Sequence, residues 1–286
     1  MGTGTVTYAA ACREAEKRLE AAGVPEAKEN ALLLLEYVCG TKRADLYLDP
    51  DRMLNDDESE RLGKMIDARA GRVPLQQLTG SQFFCGLEFL VDENVLIPRQ
   101  DTEILVERVL KDGAEGKAAL DLCTGSGCIL ISTAVLGRTA KAVGCDISSR
   151  ALKVARENAD RLGAEASFYE GDLFGALPDD MKGSFDIITA NPPYIRTADI
   201  AGLMPEVREH EPVQALDGGA DGIIFYRRIA AEACSWLKDG GHIYVEIGFD
   251  QAEEVSAIFA AKGYKNTEVI KDLAGLDRVV CCCYEQ

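Results

Sequence analysis

Hydrophobic and polar positions change their period twice along this chain. Through residues 1 to 75 the apolar side chains recur at helical spacing. Ala27, Ala31, Leu34, Leu35 and Val38 mark one face of a helix that Val24-Pro25-Glu26 starts, with proline at the first position, and Gly40 ends. Asn55 followed by Glu58 reads as a capping box, and Leu62, Met65, Ile66 and Arg69 continue at the same spacing. From Pro74 to Pro98 short strand-like runs replace the helices: Phe83-Phe84, then Leu87 to Val91, a turn at Asp92-Glu-Asn94, and Val95 to Ile97. A β-hairpin joining two domains is expected there.

From about residue 100 apolar runs and amphipathic stretches alternate. Strands are expected at Ala118 to Leu122, Ala140 to Cys145, Ala166 to Tyr169, Phe185 to Ala190, His242 to Ile247, Thr267 to Ile270 and Arg278 to Tyr284. Helices are expected from Cys128, from Ser148 to Leu162, from about Asp221 to Leu237, and from Gln251 to Ala261. This alternation predicts an α/β, doubly wound, mostly parallel sheet covered on both faces, with its ligand crevice at the carboxyl ends of the strands. The expected division is a helical domain at 1–75, a β-hairpin linker at 76–98 and an α/β domain at 99–286.

Composition narrows the chemistry. At 286 residues, with 47% hydrophobic and 28% charged side chains, the chain has the balance of a globular protein with a substantial core. Its longest purely aliphatic run, Ala31 to Leu35, is too short to span a bilayer. The opening Met1-Gly-Thr-Gly-Thr-Val6 lacks a basic-then-apolar leader pattern, so a cytoplasmic location is expected. Ten cysteines are scattered, mostly inside apolar runs, and fit buried thiols in a reducing compartment. No Cys-x-x-Cys pair and only two histidines, His210 and His242, argue against a metal site. The net charge of −17 repels phosphate backbones, which makes duplex nucleic acid a poor partner.

Three stretches carry candidate chemistry. Asp121-Leu-Cys-Thr-Gly-Ser-Gly127 places Gly125 and Gly127 between a strand and a helix, where backbone can approach a ligand. Asp146 ends the next strand 19 residues after Gly127, in position to accept hydrogen bonds from ribose hydroxyls. Leu130 stands where a dinucleotide fingerprint needs its third glycine, so a nucleoside fits better than a dinucleotide. Taken alone, the glycine pair equally fits a tight turn. Asp172 follows the third strand, where it can meet an adenine amino group or cap a helix.

The third stretch is Asn191-Pro192-Pro193-Tyr194, at the end of the buried run Phe185 to Ala190. A side-chain amide held by two prolines can grip a planar NH2 group. The Asn191 side-chain oxygen and the Pro192 carbonyl would each accept one N–H, Tyr194 would pack on the amide plane, and Pro192 and Pro193 would stiffen the loop. By itself the tetrapeptide also fits a rigid turn with a surface tyrosine. Leu96 and Ile97 are expected as apolar contacts around the substrate entrance, and Arg99 as a site wall or a structural ion-pair partner. Arg208 and Glu211 could order the loop after the tetrapeptide, with solvated charges as the default expectation, and a structural or exposed side chain is expected at His210.

With these motifs in this order, the chain resembles the class I S-adenosylmethionine-dependent methyltransferases, and more narrowly the peptide chain release factor N5-glutamine methyltransferases. Further matching segments are Pro74-Leu-Gln-Gln-Leu-Thr-Gly80, Phe84-x-Gly86, Leu96-Ile-Pro-Arg99 with Asp101-Thr-Glu103, Glu211-Pro-Val-Gln-Ala-Leu216, Gly218-Gly-x-Asp-Gly222 with Tyr226-Arg227, and Glu246-Ile-Gly248. The resemblance implies a seven-stranded methyltransferase sheet and S-adenosyl-L-methionine as cofactor. Its methionine end would lie along Cys123, Thr124, Gly125, Ser126 and Gly127, its ribose on Asp146 and its adenine near Asp172 and Leu173, with Asn191 bordering it. It also implies transfer to the glutamine of the Gly-Gly-Gln loop in class 1 release factors, held on Asn191 to Tyr194, with residues 1–75 recognising the protein. Cys123 stands where the family usually has glycine, and Gln100 where it often has proline.

Rival readings are a ribosomal-protein glutamine methyltransferase, an adenine-N6 nucleic-acid methyltransferase, a non-enzymatic nucleoside-binding module and an NAD-dependent oxidoreductase. The nucleic-acid reading lacks a basic recognition insert: residues 1 to 75 hold 14 acidic against 11 basic side chains.

Overall fold

In the computed structural model of this chain, residues 6–285 are described, without the side chains of Leu46 and Tyr47. The expectation that no leader precedes Val6 falls on residues outside that range. The chain divides into two compact units: Met1–Gly80 with Met204–His210, and Ser81–Leu203 with Glu211–Gln286.

The first unit is helical. Helices Tyr8–Ala21, Ala27–Cys39 and Asp56–Ala70 bury Leu19, Leu34, Leu35, Leu62 and Ile66 against one another. Gly40 adopts φ 61° and ends the second helix as expected, whereas Pro25 precedes that helix by two residues because Glu26 takes φ 51° ahead of it. The capping box is present: Asn55 Oδ1 accepts from Glu58 N at 2.8 Å, and Glu58 Oε2 accepts from Asn55 N at 2.9 Å. The short helix Pro205–His210 belongs to this unit. There Glu206 accepts from Arg69 at 2.9 Å and from Arg72 at 2.6 Å, and Arg69 also donates to Asn30 at 2.8 Å.

The second unit opens with an antiparallel hairpin, β1 (Ser81–Phe84) and β2 (Leu87–Leu90). Leu75–Thr79 is a short helix of the first unit, and the hairpin lies in the second. Val95 to Ile97 form no strand. Val95 packs with Val91, Ala151 and Val154 instead, and Pro98 ends the segment.

Seven further strands form one sheet: β3 (Ala118–Leu122), β4 (Lys141–Asp146), β5 (Ala166–Glu170), β6 (Phe185–Ala190), β7 (Leu237–Glu246), β8 (Lys265–Lys271) and β9 (Asp277–Cys283). Their order is β5-β4-β3-β6-β7-β9-β8. The first five in that order are parallel, and β9 runs antiparallel to both its neighbours. Successive residues of the central strands serve opposite cores, as the two-residue period requires. Ala119, Ile187 and Tyr244 join one cluster, while Leu120, Ile188 and Val245 join the other. Helices Gln100–Asp112 and Cys128–Gly137 cover the first face, and Ile224–Glu232 and Ala252–Ala261 the second. All five residues of β3 are consequently buried, which explains its unbroken apolar reading apart from Asp121.

Two helices differ from expectation. Gln100–Asp112 lies in a stretch read without a helix, and it buries Thr102, Leu105, Val106 and Val109. The helix expected from Asp221 spans Ile224–Glu232, because Gly222 adopts φ +77° and interrupts any earlier start.

The capping box yields a direct prediction. Asn55→Ala removes the acceptor for Glu58 N and lowers the stability of the full chain by about 1 kcal/mol in urea unfolding; an unchanged midpoint would show that this cap contributes nothing.

Candidate active site

The site is assembled where four parallel strands end. β3 gives way to the loop Cys123 to Gly127, whose last residue adopts φ +81° ahead of helix Cys128–Gly137. A side chain at Gly127 would place its Cβ 2.7 Å from Ile131 Cδ1 and 3.3 Å from Ala155 Cβ, so only glycine fits. Asp121, fully buried beneath the loop, accepts from the Thr124 hydroxyl at 2.6 Å and from the Thr189 hydroxyl at 2.7 Å. It therefore ties the loop to β3 and β6. Burial pushes the Asp121 carboxyl up to about 7, against the pull of the two hydroxyls.

Asp146 closes β4. Its Oδ2 accepts from Gly125 N at 2.9 Å and its Oδ1 from Ser148 N at 2.9 Å. Burial raises its pKa and these backbone donors oppose the rise. Each oxygen keeps a lone pair for a further donor. Asp172, after β5, is exposed and paired with Arg228 at 2.8 Å, while Leu173 beside it is buried with φ 50°.

Asn191 follows β6. Its Nδ2 donates to the hydroxyl of Thr102, a residue of helix Gln100–Asp112, at 3.4 Å. The Tyr194 hydroxyl donates to Glu246 Oε1 at 3.2 Å, and the Tyr194 carbonyl accepts from Gln251 Nε2 at 3.0 Å. Gly218 and Gly222 pack against the same backbone. A Cβ at Gly218 would lie 2.8 Å from Pro193 O, and one at Gly222 2.5 Å from Tyr194 O. The glycine pattern of 218–222 thus lets one loop press on the tetrapeptide from behind. Arg99 donates to both oxygens of Glu211 at 2.6 Å, anchoring the segment that continues into Pro212 to Ala215.

Together these segments enclose a cavity of about 540 Å³ within the second unit, of a size that holds a small-molecule ligand. The carboxylates of Asp146, Asp172 and Asp217 and the Asn191 amide are among its polar lining, and Leu96, Pro98, Pro193 and Phe225 supply apolar walls.

A family profile described as the PrmC N-terminal domain matches residues 10–80, and one described as a methyltransferase domain matches residues 114–274. The release factor glutamine methyltransferase of Geobacter sulfurreducens is 44% identical over 258 residues, covering 90% of each chain. That of Agrobacterium fabrum is 42% identical over 287 residues, covering 98% of each. The chain belongs to the release factor glutamine methyltransferase family. A solved methyltransferase from Pyrococcus furiosus shares the fold, with a TM-score of 0.55 and 17% identity over 77% of this chain and 100% of that one.

Seen as a member of this family, the chain brings most of the expected site residues to one cavity: Cys123, Thr124, Gly125, Ser126, Asp146, Asp172, Leu173, Asn191, Pro193 and Leu96. Four others stand back from its wall. Gly127 sits at the helix start, Ile97 and Pro192 are buried, and Tyr194 is drawn inward by Glu246 and Gln251. The Tyr194 hydroxyl and carbonyl are thus both engaged by groups beneath the loop. Glu211 is not a solvated charge: its side chain is 1% exposed and paired with Arg99, which is both ion-pair partner and cavity wall. Thr102, within a segment matched by the resemblance but given no role there, and Gln251 are site residues that sequence reasoning misses. Spacing of Thr102 with Leu105, Val106 and Val109 signals the helix that carries the first, whereas nothing local marks the second. Among the described residues no cluster of His, Cys, Asp or Glu could hold a metal ion, and no helix is long and apolar enough to cross a membrane.

Asp121 gives the site a pH signature. In the unfolded chain it ionises near the ordinary 3.8, and in the folded chain it keeps its proton to about 7. The folded state then binds more protons between these values, so its contribution to stability is complete below the lower value and lost as pH rises through the upper. Asp121→Asn should remove up to ~1.4 kcal/mol per pH unit from the slope of unfolding free energy across this window. Identical slopes in the two proteins would contradict the assignment.

Proposed function

We propose that this protein transfers the methyl group of S-adenosyl-L-methionine to the side-chain amide nitrogen of the glutamine in the Gly-Gly-Gln motif of class 1 peptide chain release factors. The observation that carries the reading is the Asn191 side chain at the cavity wall, beside the glycine loop, with its nitrogen already engaged by Thr102.

The residues present fit the cofactor. A side chain at Gly127 is excluded, Gly125 N is ordered by Asp146, and both Asp146 oxygens have acceptor capacity left for ribose hydroxyls. Cys123 to Gly127 would hold the methionine end, and Asp172 with Leu173 the adenine. When bound, the cofactor supplies an electrophilic methyl carbon on a sulfonium. Cys123 replaces a glycine of the family, yet its backbone takes the φ of 55° that glycine would, and its side chain lines the cavity without closing it.

An amide nitrogen is a poor nucleophile because its lone pair is delocalised into the carbonyl. In the proposed mechanism Asn191 Oδ1 and the Pro192 carbonyl each accept one N–H of the glutamine, fixing the amide plane and leaving the nitrogen lone pair facing the cavity. Pro192 lies between Asn191 and Pro193, both of which reach the wall. As positive charge grows on the nitrogen, these acceptors bind it more strongly than in the ground state, which lowers the barrier. No general base is needed before transfer: as the nitrogen bonds to the methyl carbon the methyl–sulfur bond would break, S-adenosylhomocysteine would leave, and the proton the nitrogen then sheds would pass to solvent. The helical first unit would recognise the protein substrate, and the reaction would proceed in the cytoplasm.

The test is incubation with labelled S-adenosylmethionine and, in parallel, release factor, ribosomal protein and duplex DNA, followed by mapping of the label. Label on the Gly-Gly-Gln glutamine is expected. Label confined to ribosomal protein or DNA would overturn the proposal. Asn191→Ala should bind S-adenosylmethionine within a fewfold of the wild type and lose roughly a hundredfold or more in methyl transfer.

A further inference from the structure

Glu246 ends β7, the strand beside β6. Register pairs Ala190 with Val245, so Asn191 and Glu246 emerge side by side. Glu246 is 2% exposed and does not line the cavity. Its Oε1 accepts from the Tyr194 hydroxyl, and its Oε2 has no hydrogen-bond partner. The neighbouring donor is the hydroxyl of Thr102, itself 2% exposed, which opposes the upward pull of burial on the Glu246 carboxyl, as does the charge of Arg278. Thr102 is also the residue that meets Asn191 Nδ2. A buried carboxylate with an unused oxygen is costly unless a donor serves it.

We infer that Glu246 is a positioning residue: acting through Thr102, it decides which end of the Asn191 amide faces the substrate. This rests on the reading of an amide-bearing substrate above. When Glu246 is ionised its carboxylate only accepts, and the single Thr102 proton would serve the unpartnered Oε2. The Thr102 oxygen is then left as an acceptor, and of the two ends of the Asn191 side chain only the NH2 can satisfy it. Asn191 Oδ1 consequently points into the cavity, ready for an N–H donor. Glutamine offers that donor. A glutamate in its place offers only oxygens, which Oδ1 repels.

Replacing the carboxylate by an amide reverses the chain. In Glu246→Gln, with the oxygen of the introduced amide kept by Tyr194, the new NH2 donates to Thr102. The Thr102 proton then turns to Asn191 Oδ1, and the Asn191 NH2 swings toward the cavity. Thr102→Val removes the relay while leaving the Tyr194–Glu246 bond intact, which separates this route from any effect through Tyr194.

The experiment compares binding of two full-length release factors, one with the native Gly-Gly-Gln and one with Gly-Gly-Glu, to wild type, Glu246→Gln and Thr102→Val. Affinity for S-adenosylhomocysteine is measured on the same proteins by calorimetry. Wild type should prefer the glutamine form roughly tenfold or more, and both variants should lose most of that preference while holding S-adenosylhomocysteine within about threefold. A preference equal to wild type in Thr102→Val, with cofactor affinity intact, would overturn the relay; that variant decides the matter if Glu246→Gln fails to fold. A wild type without preference would instead overturn the amide-substrate reading and the relay with it.

Discussion

Everything at the site depends on the register of parallel strands. Leu122 pairs with Ala190 across β3 and β6, Leu122 with Cys145 across β3 and β4, and Ala190 with Val245 across β6 and β7. The next residues along these four strands are Cys123, Asn191, Asp146 and Glu246, so one row across the sheet carries the glycine loop, the amide and two carboxylates. A one-residue slip would invert each strand's faces and bury its apolar set on the wrong side, so the two hydrophobic cores enforce this alignment. Packing energy spread over the sheet thereby holds the geometry of a few polar groups at its edge.

Those polar groups are unusual for how deeply their carboxylates lie. Asp121, Glu211 and Glu246 are 0%, 5% and 2% exposed, and burial raises the pKa of each. Each is met by a specific donor: the hydroxyls of Thr124 and Thr189 for Asp121, Arg99 for Glu211, and Tyr194 for Glu246. A loop pinned by such contacts has little freedom left to lose on binding, which favours catalysis by preorganised acceptors rather than by a mobile acid or base. The donors also connect elements far apart in sequence, and removal of one leaves a buried carboxyl oxygen short of a partner.

Much of this is legible in the sequence because burial on both faces leaves a mark in each strand. Phe185 to Ala190 and Ala118 to Leu122 are apolar runs, and the polar residues that follow them stand out as site candidates. Asp146 announces itself likewise by ending the run that precedes it. Val95 to Ile97 show the limit of the same signal, since a short apolar run pairs with a strand only if a neighbour is present. The burial of Glu211 is hidden because charge alone gives no sign of it, and its partner Arg99 lies 112 residues away. Tyr194 and Thr102 take their roles from side chains on other elements, and Gly218 and Gly222 from the backbone they approach. No local pattern carries that information.

The most direct measurement is a crystal structure of the protein with S-adenosylhomocysteine and a release factor presenting its Gly-Gly-Gln loop. Asn191 Oδ1 is predicted to lie about 2.7–3.2 Å from the glutamine side-chain nitrogen, with Asn191 Nδ2 still on Thr102. A glutamine bound away from Asn191, or one that turns its carbonyl oxygen toward Asn191 Nδ2, would contradict it.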